Sequence, residues 1–409
     1  PRALRQNQTF DYEQAGISYL CSFLSNALDL KQAIRERDEA ESLRRHAEKE
    51  TEKALAINSF LTDVLRSADP FRGGRGYATT VLEAVTAAES SISERFEGQP
   101  EVEAEVRHTL GTTFMHLGKY AEAKSLLQSS LDICLQLYGE DHMLSAAKLN
   151  EIGRLCHETG EYAEAQEAFS RALSSFDKVL DGAHPLLAAT LNNLGILLRD
   201  QGDLDTAERF FQDALAMKRE LFGNVHEEVS PTLNNLGLLF HDKAQLGEAK
   251  SHFEEALAVN RQVCESDHPT IGINLSNLGW VLVDLGEYEK ALEYFSESLA
   301  IKLKAQGENH PSTAISLSGQ AAALEGLERF EEALENYRRA IEVFAQSLPD
   351  SHWRTPYTRS LYARCLLKSG SDEGAELLQD SVDVLERILG SQHPKFLEAK
   401  SALEALASR

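Results

Sequence analysis

Histidine, cysteine and carboxylate side chains are what this sequence offers for metal, nucleophilic or acid–base chemistry, and one of the three recurs on a strict period. His142, His184, His226, His268, His310 and His352 stand 42 residues apart, and His393 follows one residue early. Periodic imidazoles invite a metal. Successive members fall at equivalent points of successive repeats, however, while ligands of one ion lie within about 2–2.5 Å of it. Their neighbours, Asp141, Asp267 and Asn309 before and Pro185, Pro269 and Pro311 after, belong to turns and helix starts. The series therefore reads as caps. The cysteines (Cys21, Cys134, Cys156, Cys264, Cys365) are scattered singly without C-x-x-C, and an odd count cannot close fully into disulfides. They read as small buried side chains in a reducing compartment. There is no H-E-x-x-H and no G-x-S-x-G elbow. Phe71-Arg-Gly-Gly-Arg-Gly76 is glycine-rich, but a phosphate loop needs a strand before it and none is expected, so it reads as a linker. The expectation is no enzyme, no metal and no cofactor.

The histidines are one register of a repeat that fixes the architecture. Gly111, Gly153, Gly195, Gly237 and Gly279 share the 42-residue step, which then lands on Ala321 and Ala363. Ala123, Ala165, Ala207, Ala249, Ala291, Ala333 and Ala375 form a second small-residue series; Leu131, Leu173, Leu215, Leu257, Leu299 and Ile341 form a large apolar one. Within a cycle, Leu191, Leu194 and Leu198 recur at helical spacing with Gly195 on the same stripe. Gln201-Gly202-Asp203 breaks that helix, and Ala207, Phe210, Phe211, Ala214 and Leu215 carry a second. Small residues at fixed points let two backbones approach. A lone helical hairpin cannot bury its stripe, so the hairpins must stack into a solenoid.

The pattern H-P…L-N-N-L-G…G-x-Y/L-x-x-A…A-L resembles the tetratricopeptide repeat, in the 42-residue form of kinesin light chains. The resemblance implies an all-α, right-handed superhelical solenoid and protein–protein interaction. It covers residues 79–409: a lone helix over Thr79–Phe96, seven hairpins starting near Glu101, Met143, Pro185, Glu227, Pro269, Pro311 and Trp353, and a capping helix over Pro394–Ser408. Ala244 and Glu328 replace the inter-helix glycine, so different turns are expected there.

Before the repeats lie a segment at 1–30, a charged helix at 31–68 and the linker at 69–78. Ala40, Ala47, Ala54 and Leu61 form a heptad-like seam, but Glu50 interrupts it, so the expectation is a single helix docked on the first repeat rather than a dimer. Arg37 to Pro70 resembles the juxtamembrane helix of bacterial serine/threonine protein kinases with tetratricopeptide tails. No kinase glycine loop, H-R-D or D-F-G accompanies it, and no run of about 18 apolar residues could span a membrane. The chain opens on Pro1 rather than Met, as the tail of a longer polypeptide would.

At about 100° per residue, Leu191, Leu194, Gly195 and Leu198 face the packing side, and Asn192, Ile196, Arg199 and Asp200 the other. In tetratricopeptide proteins that other side lines the concave groove. One column there holds Asn150, Asn192 and Asn234, the next Asn193, Asn235 and Asn277. Amides both donate and accept, so such a ladder can hold an extended peptide backbone whatever its side chains; it can also tie one helix to the next. A turn further on, Arg154, His157, Arg199 and His241 form a basic stripe beside Glu158, Asp200, Asp242 and Asp284, and Trp280 offers an apolar anchor or a core side chain. The expected ligand is an extended peptide with an apolar side chain near Trp280 and an acid near Arg154 or Arg199.

With 65 acidic against 41 basic residues and a net charge of −24, the chain is unsuited to nucleic acid or anionic lipid. Three readings follow, in descending order. The first is a non-catalytic, cytoplasmic interaction scaffold in signalling. The second is the extracytoplasmic sensor tail of a membrane-anchored bacterial kinase. The third is a cargo adaptor of the kinesin-light-chain kind.

Overall fold

The computed structural model describes residues 81–89, 91–391 and 393–407 and part of 31–62. The segment at 1–30 and the linker at 69–78 lie outside the described residues. Among the latter every regular element is a helix. They fall into two compact units, residues 1–139 and 140–409.

In the first unit the charged helix lies against the hairpin of α3 (Pro100–His116) and α4 (Tyr120–Tyr138). Lys49 and Lys53 both reach the Glu101 carboxylate, at 2.9 and 2.7 Å. Hydrogen bonds from Lys53 and Lys49 hold that carboxyl down at about 2. Phe60 is fully buried, edge-on to Phe96 at 5.6 Å. The lone helix expected over Thr79–Phe96 is instead two pieces, α1 (Val81–Glu89) and α2 (Ile92–Arg95). The reason is local: both the backbone N–H and the hydroxyl of Ser91 bond Ala88 O, closing the first helix.

The second unit stacks six hairpins: α5 (Met143–Glu158) with α6 (Tyr162–Val179), α7 (Pro185–Asp200) with α8 (Leu204–Phe222), α9 (Val229–Asp242) with α10 (Leu246–Val263), α11 (Pro269–Asp284) with α12 (Tyr288–Gln306), α13 (Pro311–Gly326) with α14 (Phe330–Ser347), and α15 (Arg354–Lys368) with α16 (Glu373–Leu389). Helix α17 (Pro394–Ala407) follows. One apolar core runs through neighbouring hairpins, from Phe169 through Phe211 and Phe253 to Phe295. Each of those rings lies where a Cβ on the repeat glycine would be: one on Gly195 would meet Phe211 at 2.7 Å. That close approach is why glycine or alanine recurs in the first helix.

Every histidine of the periodic series caps a turn. In each, Nδ1 accepts the backbone N–H two residues on: Leu144, Leu186, Glu228, Thr270, Ser312, Arg354 and Lys395, at 3.1–3.4 Å. The inter-helix turns differ less than expected. Ala244 (φ 56°) and Glu328 (φ 59°) adopt the same left-handed conformation as Gly202 (φ 86°), so the repeat geometry overrides the side-chain cost. One register needs correction: Ala375 is exposed, and buried Gly374 takes its place. The one-residue deletion that shifts His393 therefore lies in the turn before α16.

Candidate ligand-binding face

The first helices of hairpins two to five carry the two asparagine columns, and the structure links them. Asn193 Nδ2 donates to Asn150 Oδ1 at 3.1 Å, Asn235 to Asn192 at 3.0 Å and Asn277 to Asn234 at 2.8 Å. Asn192 Oδ1 also accepts from Thr232, and Asn234 Oδ1 from Asn274. Asn150 and Asn192 are buried. The ladder thus ties each first helix to the next. Asn193, Asn235 and Asn277 are only half-buried, and in each the second N–H and the carbonyl oxygen lie outside this bond.

The charged columns also close on themselves. His157 Nε2 meets Asp200 at 2.9 Å, and Arg199 reaches both Asp200 at 3.0 Å and Asp242 at 3.6 Å. Burial raises the Asp200 carboxyl, but the His157 and Arg199 contacts outweigh it and leave it below its ordinary value. Arg154 pairs with Glu151 at 2.8 Å within its own helix, and His241 with Asp284 at 2.6 Å. These contacts join His157, Arg199 and His241 to Asp200, Asp242 and Asp284 across hairpins two to five, while Arg154 keeps its acid within its own helix, so Arg154 and Arg199 already have acids.

Three of the sequence-picked residues, His241, Asn277 and Trp280, meet at a cavity of about 560 Å³ formed by hairpins four to seven and α17. That is a size suited to a small ligand or a few residues of chain. Trp280 is both core and surface: it packs edge-on to Phe295 at 5.5 Å and presents its remainder to the cavity. Across from it stand Trp353, Arg354, Tyr357, Arg364, Lys395 and Glu398. Tyr357 donates to Glu398 and accepts from Lys395 at 3.0 Å. Burial, with Glu398 nearby, pushes the phenol up to about 12. Burial pushes the Lys395 ammonium down, but Tyr357 and Glu398 more than reverse it. Arg364 lies 3.4 Å from buried Glu325, which also takes Lys368 and the Tyr337 hydroxyl.

Sequence reasoning missed Trp353, Arg354, Tyr357, Lys395 and Glu398. One signal was present: hairpin seven has Trp353 after its histidine where three others have proline. It also missed Cys156, Glu161 and Glu164, whose ligand atoms lie within 4.8 Å of one another; the thiol contacts Glu164 at 3.8 Å. Among the described residues no helix is long and apolar enough to cross a membrane.

No curated protein matches the sequence. Among solved structures, the apo form of the quorum sensor NprR from B. thuringiensis aligns at 14% identity over 88% of this chain and 94% of its own, TM-score 0.60. Aspartyl phosphate phosphatase F from Bacillus subtilis aligns at 15% identity over 86% and 90%, TM-score 0.56. A signal transduction ATPase with a tetratricopeptide repeat sensor from Pyrococcus horikoshii gives 15% identity over 80% and 48%, TM-score 0.53. At such identities the likeness is one of fold. The tetratricopeptide repeat model matches residues 102–178, 144–220, 228–304 and 281–346, more than half of the chain. With paired helices, small-residue contacts and capped turns in the same register, the chain belongs to the tetratricopeptide repeat family.

Proposed function

We propose that this protein is a non-catalytic scaffold that holds an extended peptide segment of a protein partner along the inward face of its first helices. The observation that carries this is the cavity at Trp280, reached by the same asparagine ladder that joins the repeats. Asn193, Asn235 and Asn277 each keep hydrogen-bonding capacity toward a peptide backbone, while Asn150, Asn192 and Asn234 brace them from behind. Trp280 supplies a rigid aromatic surface of the kind that anchors interfaces.

The test is a random peptide library displayed on phage, selected on the whole chain and rescreened on Trp280→Ala and Asn277→Ala after thermal melts show that both fold. Selected peptides should lose about tenfold or more in affinity on Trp280→Ala and less on Asn277→Ala. Peptides that bind all three proteins equally would place the interaction elsewhere.

A further inference from the structure

Four basic side chains line the cavity, and acids answer three of them. His241 has Asp284, Arg364 has Glu325, and Lys395 has Glu398. Arg354 has none. Among the described residues no carboxylate lies within 4.0 Å of its guanidinium, which sits over the Trp353 ring at 4.8 Å. Half-burial among the cavity walls holds its pKa below the ordinary value, with only Tyr357 acting against that.

A second cation lies near enough to feel Arg354. Lys302 is fully buried, and its ammonium donates to the hydroxyls of Ser276 at 2.7 Å and Ser316 at 3.0 Å. Among the described residues no carboxylate pairs with it either, and the charge it feels is that of Arg354. In a chain of net charge −24, two neighbouring cations without acids are a local excess of positive charge beside an aromatic cavity.

We infer that the cavity selects, within the extended peptide proposed above, an acidic side chain next to a large apolar one. Arg354 grips the carboxylate while Trp280, Ile315 and Phe344 take the apolar neighbour. A guanidinium presents a planar fork that matches a carboxylate with two parallel N–H donors. Asn277, one of the backbone-holding amides, also lines the cavity, so the chain passing Arg354 is still extended and an internal acidic residue suits the site better than a chain end. The inference rests on the groove reading and moves its anion site from Arg154 and Arg199, already paired, to Arg354.

Intrinsic fluorescence reads this site directly, because the chain has two tryptophans and both line the cavity. The probe is a blocked peptide, acetyl-Ser-Ser-Leu-Asp-Ser-Ser-Ser-amide. Its companions carry Asn for Asp, or Ser for Leu, or lack the Asp and end in a free carboxylate. The Leu-Asp peptide should perturb the emission at about one-tenth the concentration its Asn companion needs. Arg354→Gln should erase that ratio, while Arg154→Gln and Arg199→Gln leave it intact; circular dichroism melts confirm that each variant folds. Binding without an Asp/Asn preference, or a preference that survives Arg354→Gln, overturns the inference and leaves the groove reading standing. A response to the free-carboxylate companion alone overturns the commitment to a side chain. If no peptide perturbs either tryptophan, the groove reading itself fails.

Discussion

Lys218 and Lys302 occupy the same position of the second helix two repeats apart, both are buried, and their surroundings differ. Lys218 has Glu228 at 3.5 Å; Lys302 has serine hydroxyls and the repulsion of Arg354. The same contrast holds between the faces they underlie. Around hairpins two to four the charges are matched across repeats: His157 with Asp200, Arg199 with Asp200 and Asp242. Around hairpins five to seven Arg354 and Lys302 are left over. Where charges pair between neighbours they tie one repeat to the next; where the pairing lapses, a cation is left without a counter-charge.

The two regions differ first in how tightly they pack. Phe295 is wedged between Gly279, Gly319 and the edge of Trp280, whereas the corresponding ring in hairpin three, Phe211, faces Gly195. Gly319→Ala should cost about 3 kcal/mol and Gly195→Ala roughly 2, since the crowded ring has less room to retreat. Chemical denaturation measures both, and equal losses would mean the cavity region is no more tightly built than hairpin three.

The unpaired lysine gives an effect of opposite sign. Burial depresses Lys302 to about 8 from its ordinary value, so its charged form penalises the folded state fully below pH 8. The penalty fades as the pH rises from there toward the unfolded value near 10.5, so stability should increase across that window. Lys302→Met should flatten this slope and raise stability at pH 7 by about 2 kcal/mol, because Ser276, Ser298 and Ser316 still bond one another. A Lys302→Met protein that is less stable at pH 7 would show that the ammonium is compensated after all.

The paired face should respond least. Asp200→Asn removes the acid shared by His157 and Arg199 and should cost about 1 kcal/mol at pH 7, less in high salt because the site is partly exposed. The Asp200 carboxyl is held below its ordinary value, so its contribution is present above the usual carboxylate range and lost as the pH falls through the folded value. Urea melts at two salt concentrations read this; a loss that salt does not touch would point to packing instead.

Several of these features were legible in the residues themselves. The periodic histidines announced caps, and each accepts the N–H two residues on, because a turn followed by a helix start demands an acceptor at that point. The glycine and alanine columns announced the helix–helix contact, because only a small residue leaves room for the facing ring. The asparagine columns were legible as a ladder but not as a direction: spacing alone cannot tell whether an amide turns to the next helix or to a ligand. Asn192 turns to Thr232 and Asn235, and that needed coordinates.

The repeat, its period, its paired helices and the columns on each face can be read from the residues, because these follow from contacts between positions a fixed distance apart in the chain. Which charges are left without partners emerges once the hairpins have stacked. Pairs such as Arg199 with Asp242, and absences such as that at Arg354, depend on how one hairpin sits upon the next. The cavity likewise gathers Trp280 and Arg354 from two hairpins and Lys395 from the final helix, a meeting that no local spacing records. Coulomb and hydrogen-bond energies act over a few ångströms in space, and sequence distance is blind to them once the chain has stacked.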